Sequence, residues 1–200
     1  MRTVSEIVVE KLLPPACYSP LPLARVRFIV QHYFSCRYAS PDYPYSAELC
    51  WQLFHDLNFE PLHRRFHIYE GPRQHASAHI LIPRDGRAWL LVPMNLCAYH
   101  AGASYFDGAS DLNHCSIGIE SIGWHNEPFT DAQYRTNAAI CAALLAEHGL
   151  TAQAIVAHSQ VAIPEGRKRD PGPLFDWDLL ERYVEQAREP TPEKRNGTNP

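Results

Sequence analysis

Two histidines in this chain follow short apolar runs. His32 comes after Phe28-Ile29-Val30, and His158 directly after Ile155-Val156-Ala157. Runs of this kind predict buried strands. A strand end at the rim of a sheet holds an imidazole in a cleft on a rigid backbone, which suits a metal ligand. Asp170 lies further on, within Gly166-Arg167-Lys168-Arg169-Asp170-Pro171-Gly172-Pro173. Two imidazoles and a carboxylate form a workable donor set for zinc, with a fourth position left for water. The same residue types have other uses: a strand histidine packs in a core, and an aspartate before proline starts a turn. Spacing alone leaves both readings open, and the total of 11 histidines does not choose between them.

The elements that must position these residues can be read from periodicity and punctuation. Arg25 to Tyr33 has the continuous apolar centre of a buried strand. Ser46 reads as the N-cap of a helix with Leu49, Leu53, Phe54 and Leu57 on one face. Ala78–Pro83 and Ala88–Pro93 read as strands on either side of Arg84-Asp85-Gly86-Arg87, and an Asp-Gly pair between apolar runs signals a hairpin. Cys115–Ile122 is a further strand. Thr130–Glu147 is the clearest helix, with Thr130 as its cap, Asp131 at its positive end and Gly149 as its stop. A short strand over Ile155–His158 and a helix over Asp176–Ala187 complete the series. The order predicts an α/β fold: a single domain with a mixed central β-sheet flanked by helices. Residues 1–24 read as an extended, proline-rich lead-in, residues 25–188 as the domain, and residues 189–200 as a polar, disordered tail.

Composition narrows the function classes. Hydrophobic residues at 46% and charged residues at 20% are ordinary for a globular chain. A net charge of −4 argues against a nucleic-acid partner held through phosphates. No segment reaches the ~20 apolar residues of a membrane span. Glu6 and Glu10 interrupt the first apolar stretch, which therefore does not read as a signal peptide. A cytoplasmic location is expected, although phage lysis or a dedicated secretion machine would leave no such mark. Cys17, Cys36, Cys50, Cys97, Cys115 and Cys141 form no close pair, so buried free thiols are expected rather than a thiolate metal site.

Five stretches then occur in a telling order: Ser77-Ala78-His79-Ile80-Leu81-Ile82-Pro83-Arg84-Asp85-Gly86, Tyr99-His100-Ala101-Gly102, Ser116-Ile117-Gly118-Ile119-Glu120, Phe129-Thr130-Asp131-Ala132-Gln133-Tyr134, and Gly166 through Trp177. Together they resemble the zinc-dependent N-acetylmuramoyl-L-alanine amidases of the second type, which share a fold with peptidoglycan recognition proteins. The likeness is greatest to the AmpD-like branch, which acts on anhydro-muropeptides in wall recycling. The resemblance implies hydrolysis of the amide between the lactyl group of (anhydro-)N-acetylmuramic acid and L-alanine, with a muropeptide or peptidoglycan as substrate. It implies Zn²⁺ as cofactor, with His32, His158 and Asp170 as ligands. It matches Glu120 to the family's catalytic carboxylate and Lys168 to its catalytic lysine. His79 and His100, also in matched stretches, are candidate substrate contacts or supports for the ligands, and Trp89, Trp124 and Tyr99 are candidate sugar-stacking rings.

The chain departs from the family pattern at Gln31, where an aliphatic residue is usual before the first ligand. It departs also at Pro83-Arg84, in place of a double arginine, and near Ala109, where an arginine is common. These changes spare the zinc set and bear on recognition of the peptide stem. The segment 45–75 matches poorly and reads as a lid or specificity loop. The alternatives are a phage endolysin or antibacterial effector acting on intact wall, and a non-catalytic peptidoglycan-binding module; the filled ligand positions weigh against the last.

Overall fold

A computed structural model describes residues 2–37, 41–59 and 75–189. In chain order its elements are β1 (Val9–Glu10), β2 (Phe28–Phe34), α1 (Ala47–Phe59), β3 (Ile80–Ile82), β4 (Trp89–Leu90), β5 (Tyr105–Phe106), β6 (Ala109–Ser110), β7 (Ser116–Ile122), α2 (Asp131–His148), β8 (Ile155–Ala157), α3 (His158–Val161) and α4 (Trp177–Arg188). Six strands form one sheet in the order β1-β4-β3-β7-β2-β8. All neighbours are parallel except the antiparallel pair β3 and β4, so the sheet is mixed, as expected.

The centre of the sheet is the pair β2 and β7, joined in register from Phe28 opposite Ser116 to Phe34 opposite Ile122. Successive side chains on a strand point to opposite faces. On one face Ile29, Ile117, Ile119, Ile80 and Ile82 pack against Ile140, Cys141 and Leu144 of α2, all fully buried. Outside α2 lies α4, which adds Leu180 and Val184 to the same cluster.

Helix α2 starts where Thr130 and Gln133 cap each other: the Gln133 N–H donates to Thr130 Oγ1 at 3.2 Å and the Thr130 N–H to Gln133 Oε1 at 3.0 Å. It ends at Gly149, which takes φ 65° at the C-cap, a conformation that suits glycine. The Gln133 amide also donates to the carbonyls of Ile82 and Ile122, tying the helix start to the ends of β3 and β7.

The opposite face carries two apolar groups, one around Phe28, Val30, Leu112 and Val156, the other around Phe54, Leu81, Leu91 and Ile122. A polar middle separates them.

Several boundaries differ from expectation. Strand β2 begins at Phe28 rather than Arg25. The buried face of α1 is Cys50 and Phe54, while Leu49 is exposed, so that helix is rotated from its predicted contact line. His158 does not end a strand; β8 stops at Ala157 and His158 opens α3. The lead-in supplies an edge strand, β1, paired with β4, and buries Val4, Leu13 and Cys17. The small β5–β6 hairpin turns through Asp107 and Gly108, both at positive φ. All six cysteines are free and buried. Among the described residues no helix is long and apolar enough to cross a membrane. Most of the predicted tail, and residues 60–74 of the predicted lid, lie outside the described residues.

Candidate active site

The polar middle of the sheet opens into a cavity of about 520 Å³, lined among others by His32, Glu120, His158, Lys168 and Asp170. Three segments bring these residues together. The strand register makes His32 and Glu120 direct Cα partners on β2 and β7, so both side chains leave the same face of the sheet. The parallel strand β8 delivers the chain to His158. The loop beyond α3 returns Asp170, whose carbonyl accepts from the Ser159 N–H at 3.0 Å.

His32 Nδ1 and His158 Nδ1 are 3.0 Å apart, and each lies 2.8 Å from Asp170 Oδ2. All three residues are buried, and they are the cluster among the described residues that could hold a metal ion. The chemistry of the donors fits one. The Ala101 carbonyl, 3.0 Å from His158 Nε2, can only accept, so that nitrogen carries the proton and His158 Nδ1 presents a lone pair. Burial, then the neighbouring His158, pushes the His32 imidazole down to about 4, so the ring is neutral near pH 7. Burial pushes the Asp170 carboxyl up, but hydrogen bonds to His158 and His32 outweigh it and hold the group well below the usual carboxylate range. An anionic oxygen facing two imidazole nitrogens in a buried cluster is the electrostatic setting of a cation.

Glu120 stands beside this cluster without belonging to it. Burial and the Asp170 charge raise its pKa well above the ordinary glutamate range, with Lys168 pulling the other way. Its Oε2 is buried and has no hydrogen-bond partner among the described residues. Such an orphaned oxygen is costly, and a carboxyl with raised proton affinity in a cleft suits general acid–base work. Lys168 is exposed on the cavity wall.

The two remaining histidines part company. His100 lines the cavity, with its ring between His32 Nε2 at 3.1 Å and Ser116 Oγ at 3.2 Å. His79 does not line it. It is fully buried, accepts from the Gly118 N–H at 3.1 Å and donates to the Leu96 carbonyl at 3.0 Å. Both ring nitrogens bond to backbone, tying β7 to Leu96. Of the three candidate stacking rings only Tyr99 lines the cavity. Trp124 packs with Tyr33 and Arg37, and Trp89 lies beneath Lys11. The unusual Gln31 points to the helix face, where its carbonyl accepts from Asn137 Nδ2 at 2.7 Å.

Two contributors escaped sequence reasoning. Arg167 donates to the carbonyls of Ala101, Ala103 and Ile163, clamping the loop that carries His100. Ser116 was legible in principle, because it lies an even number of strand positions before Glu120 and so shares its face.

The chain belongs to the N-acetylmuramoyl-L-alanine amidase family, whose model matches residues 22–173. Within it, the 1,6-anhydro-N-acetylmuramyl-L-alanine amidase AmpD of Enterobacter cloacae is 46% identical over 101 residues, covering 50% of this chain and 53% of that protein. The chain thus spans about half the length of the curated relatives it matches. A crystal structure of a selenomethionine AmpD derivative superposes with a TM-score of 0.68 at 30% identity, over 92% of this chain and 99% of that one. The Escherichia coli amidase AmiD, in complex with the substrate anhydro-N-acetylmuramic acid-L-Ala-D-gamma-Glu-L-Lys, superposes with a TM-score of 0.59 at 27% identity, over 82% of this chain and 60% of that one.

Proposed function

We propose that this protein is a zinc-dependent amidase that cleaves the bond between the lactyl group of anhydro-N-acetylmuramic acid and L-alanine in soluble muropeptides. The reading assigns residues 25–188 as the amidase domain and peptidoglycan recycling in the cytoplasm as its setting. One observation carries it above the others: ligand atoms of His32, His158 and Asp170 converge within 3.0 Å of one another beside a buried Glu120 whose Oε2 has no partner among the described residues. The AmpD and AmiD likenesses support the substrate class.

The three converging side chains would hold the zinc. Bound there, zinc supplies Lewis acidity, which polarises the scissile carbonyl and brings deprotonation of water toward neutral pH. Glu120 takes the proton from the attacking water as its oxygen bonds to the lactyl carbonyl carbon. It then passes that proton to the alanine nitrogen as the carbon–nitrogen bond breaks. Lys168, on the cavity wall, places its ammonium beside the carbonyl oxygen as charge develops there. Asp170 stays ionised throughout, because its carboxyl is held well below the usual range. The products are the lactyl carboxylic acid, which keeps the water's second proton until it ionises, and a peptide with a free alanine amine.

The test compares release of free stem peptide from soluble anhydro-muropeptides and from purified sacculi at equal bond concentration. Faster cleavage of the soluble substrate is expected. Faster cleavage of sacculi would reassign the enzyme to a lytic role, and no release from either would remove the amidase reading.

A further inference from the structure

We propose that Ser116 and His100 form a relay that sets which nitrogen of His32 carries its proton, making them positioning residues for the metal-binding nitrogen. The inference rests on the zinc reading above. Its starting point is a backbone carbonyl. Ser116 Oγ lies 2.6 Å from the Leu112 oxygen, which can only accept, so the serine hydroxyl donates there.

With its proton committed, Ser116 Oγ faces His100 Nε2 at 3.2 Å as an acceptor. His100 therefore carries its proton on Nε2 and offers a lone pair at Nδ1. That lone pair lies 3.1 Å from His32 Nε2, which must then carry the His32 proton. His32 Nδ1 is left as a lone pair, aimed at Asp170 and His158. Reversing the chain would set a hydroxyl lone pair against the Leu112 oxygen at 2.6 Å in a fully buried position, a repulsive contact.

The surroundings hold this relay in place. Ser116 is fully buried, and His32 and His100 are nearly so. Asn113 Oδ1 accepts from the N–H groups of His100 and Ala101 at 3.0 and 2.8 Å, fixing the backbone behind the ring. A Cβ at Gly118 would lie 2.5 Å from His100 Cγ, so only glycine lets the imidazole lie flat against β7. The carbonyl of Ala101 sets the tautomer of His158 in the same way. The backbone carbonyls of Leu112 and Ala101 thus prepare both histidines. In the absence of the relay a neutral His32 can carry its proton on Nδ1, donate it to Asp170 and close the metal position.

Zinc affinity is measured by chelator competition in the wild type, Ser116→Ala and Ser116→Thr. Ser116→Ala is expected to bind about 10–100-fold more weakly, and Ser116→Thr, which keeps the hydroxyl, to recover most of the loss. Wild-type affinity in Ser116→Ala would overturn the relay. Nitrogen-15 spectra of histidine in the metal-free wild type give a reading that depends on no variant. Protonation of His32 and His100 at Nε2 is expected, and a proton on His32 Nδ1 would overturn the proposal. A wild type that binds no zinc would instead sink the functional reading, while the tautomers would still decide the relay.

Discussion

The alternate residues of β2 and β7 face opposite ways, and the two faces follow different rules. On the helix side even the polar groups are matched. Gln31 accepts from Asn137 and donates to Cys141 Sγ at 3.5 Å, and Cys141 donates to Asn137 Oδ1 at 3.2 Å. Around this closed triad pack Ile29, Ile117 and Ile119, all fully buried. On the cleft side two imidazole nitrogens crowd one carboxylate oxygen, and Glu120 keeps an oxygen without a partner among the described residues. The same strand pair thus holds a satisfied face that stabilises it and an unsatisfied face, the one proposed to carry the chemistry. Local breaches of the burial rules mark the reactive side.

That contrast can be broken from either side. The largest effect is expected on the cleft face: Asp170→Ala should lose both bound zinc and measurable turnover, read by metal analysis and peptide release. One zinc per chain in that variant would break the assignment. Glu120→Ala should lower turnover by roughly 10²–10⁴-fold while retaining zinc, and its thermal unfolding should not fall, since a buried, unpartnered oxygen is removed. Wild-type turnover there would show that another group moves the proton.

On the helix face the expectation reverses. Ile119→Ala should cost about 2–5 kcal/mol in denaturant unfolding, with zinc affinity unchanged; a matching loss of affinity would mean that the faces are not separable. His79 sharpens the comparison through pH. Burial pushes its imidazole from 6.5 down to about 4, so between those values the unfolded chain takes up a proton that the folded chain refuses. Stability should therefore fall as pH drops through that window, by up to about 3 kcal/mol. His79→Gln, which keeps one donor and one acceptor, should reduce the slope by the His79 share and leave the part due to the buried His32; an unchanged slope would place the titration elsewhere. The smallest effect is expected at Gln31→Leu. It strips Asn137 Nδ2 of its acceptor at a cost of about 1–3 kcal/mol, and an unchanged unfolding midpoint would count against the triad.

The elements with strong local signals were legible in the sequence. The apolar runs behind His32 and His158 mark β2 and β8, and Thr130 and Gly149 bracket α2 because their caps are local hydrogen-bond chemistry. The β5–β6 hairpin carried its own signal in Asp107-Gly108, but two-residue strands are too short for periodicity to register. Strand β1 was hidden for a different reason: Val9 and Glu10 are both exposed, so their pairing with β4 leaves no alternation to read. The convergence of His32, His158 and Asp170 could be posed from residue types but not decided, since their approach depends on long-range strand order. His79 shows the limit most plainly. Its stretch resembles a functional motif, yet its ring nitrogens are claimed by Gly118 and Leu96, which no spacing in the sequence encodes.

The pairing of His32 with Glu120 across adjacent parallel strands works as a built-in ruler. Neighbouring strands sit about 4.8 Å apart because the ladder of backbone hydrogen bonds sets that distance, and no loop takes part in setting it. The gap between the proposed metal ligand and the proposed proton carrier is thereby insulated from the rim. Rim segments that touch neither ligand, such as the one carrying His75 and Ala76 on the cavity wall, should tolerate exchange while the ruler stays unchanged. Grafted rims should accordingly move KM between substrates well before they disturb kcat, and steady-state kinetics on a set of such chimaeras would read the two apart.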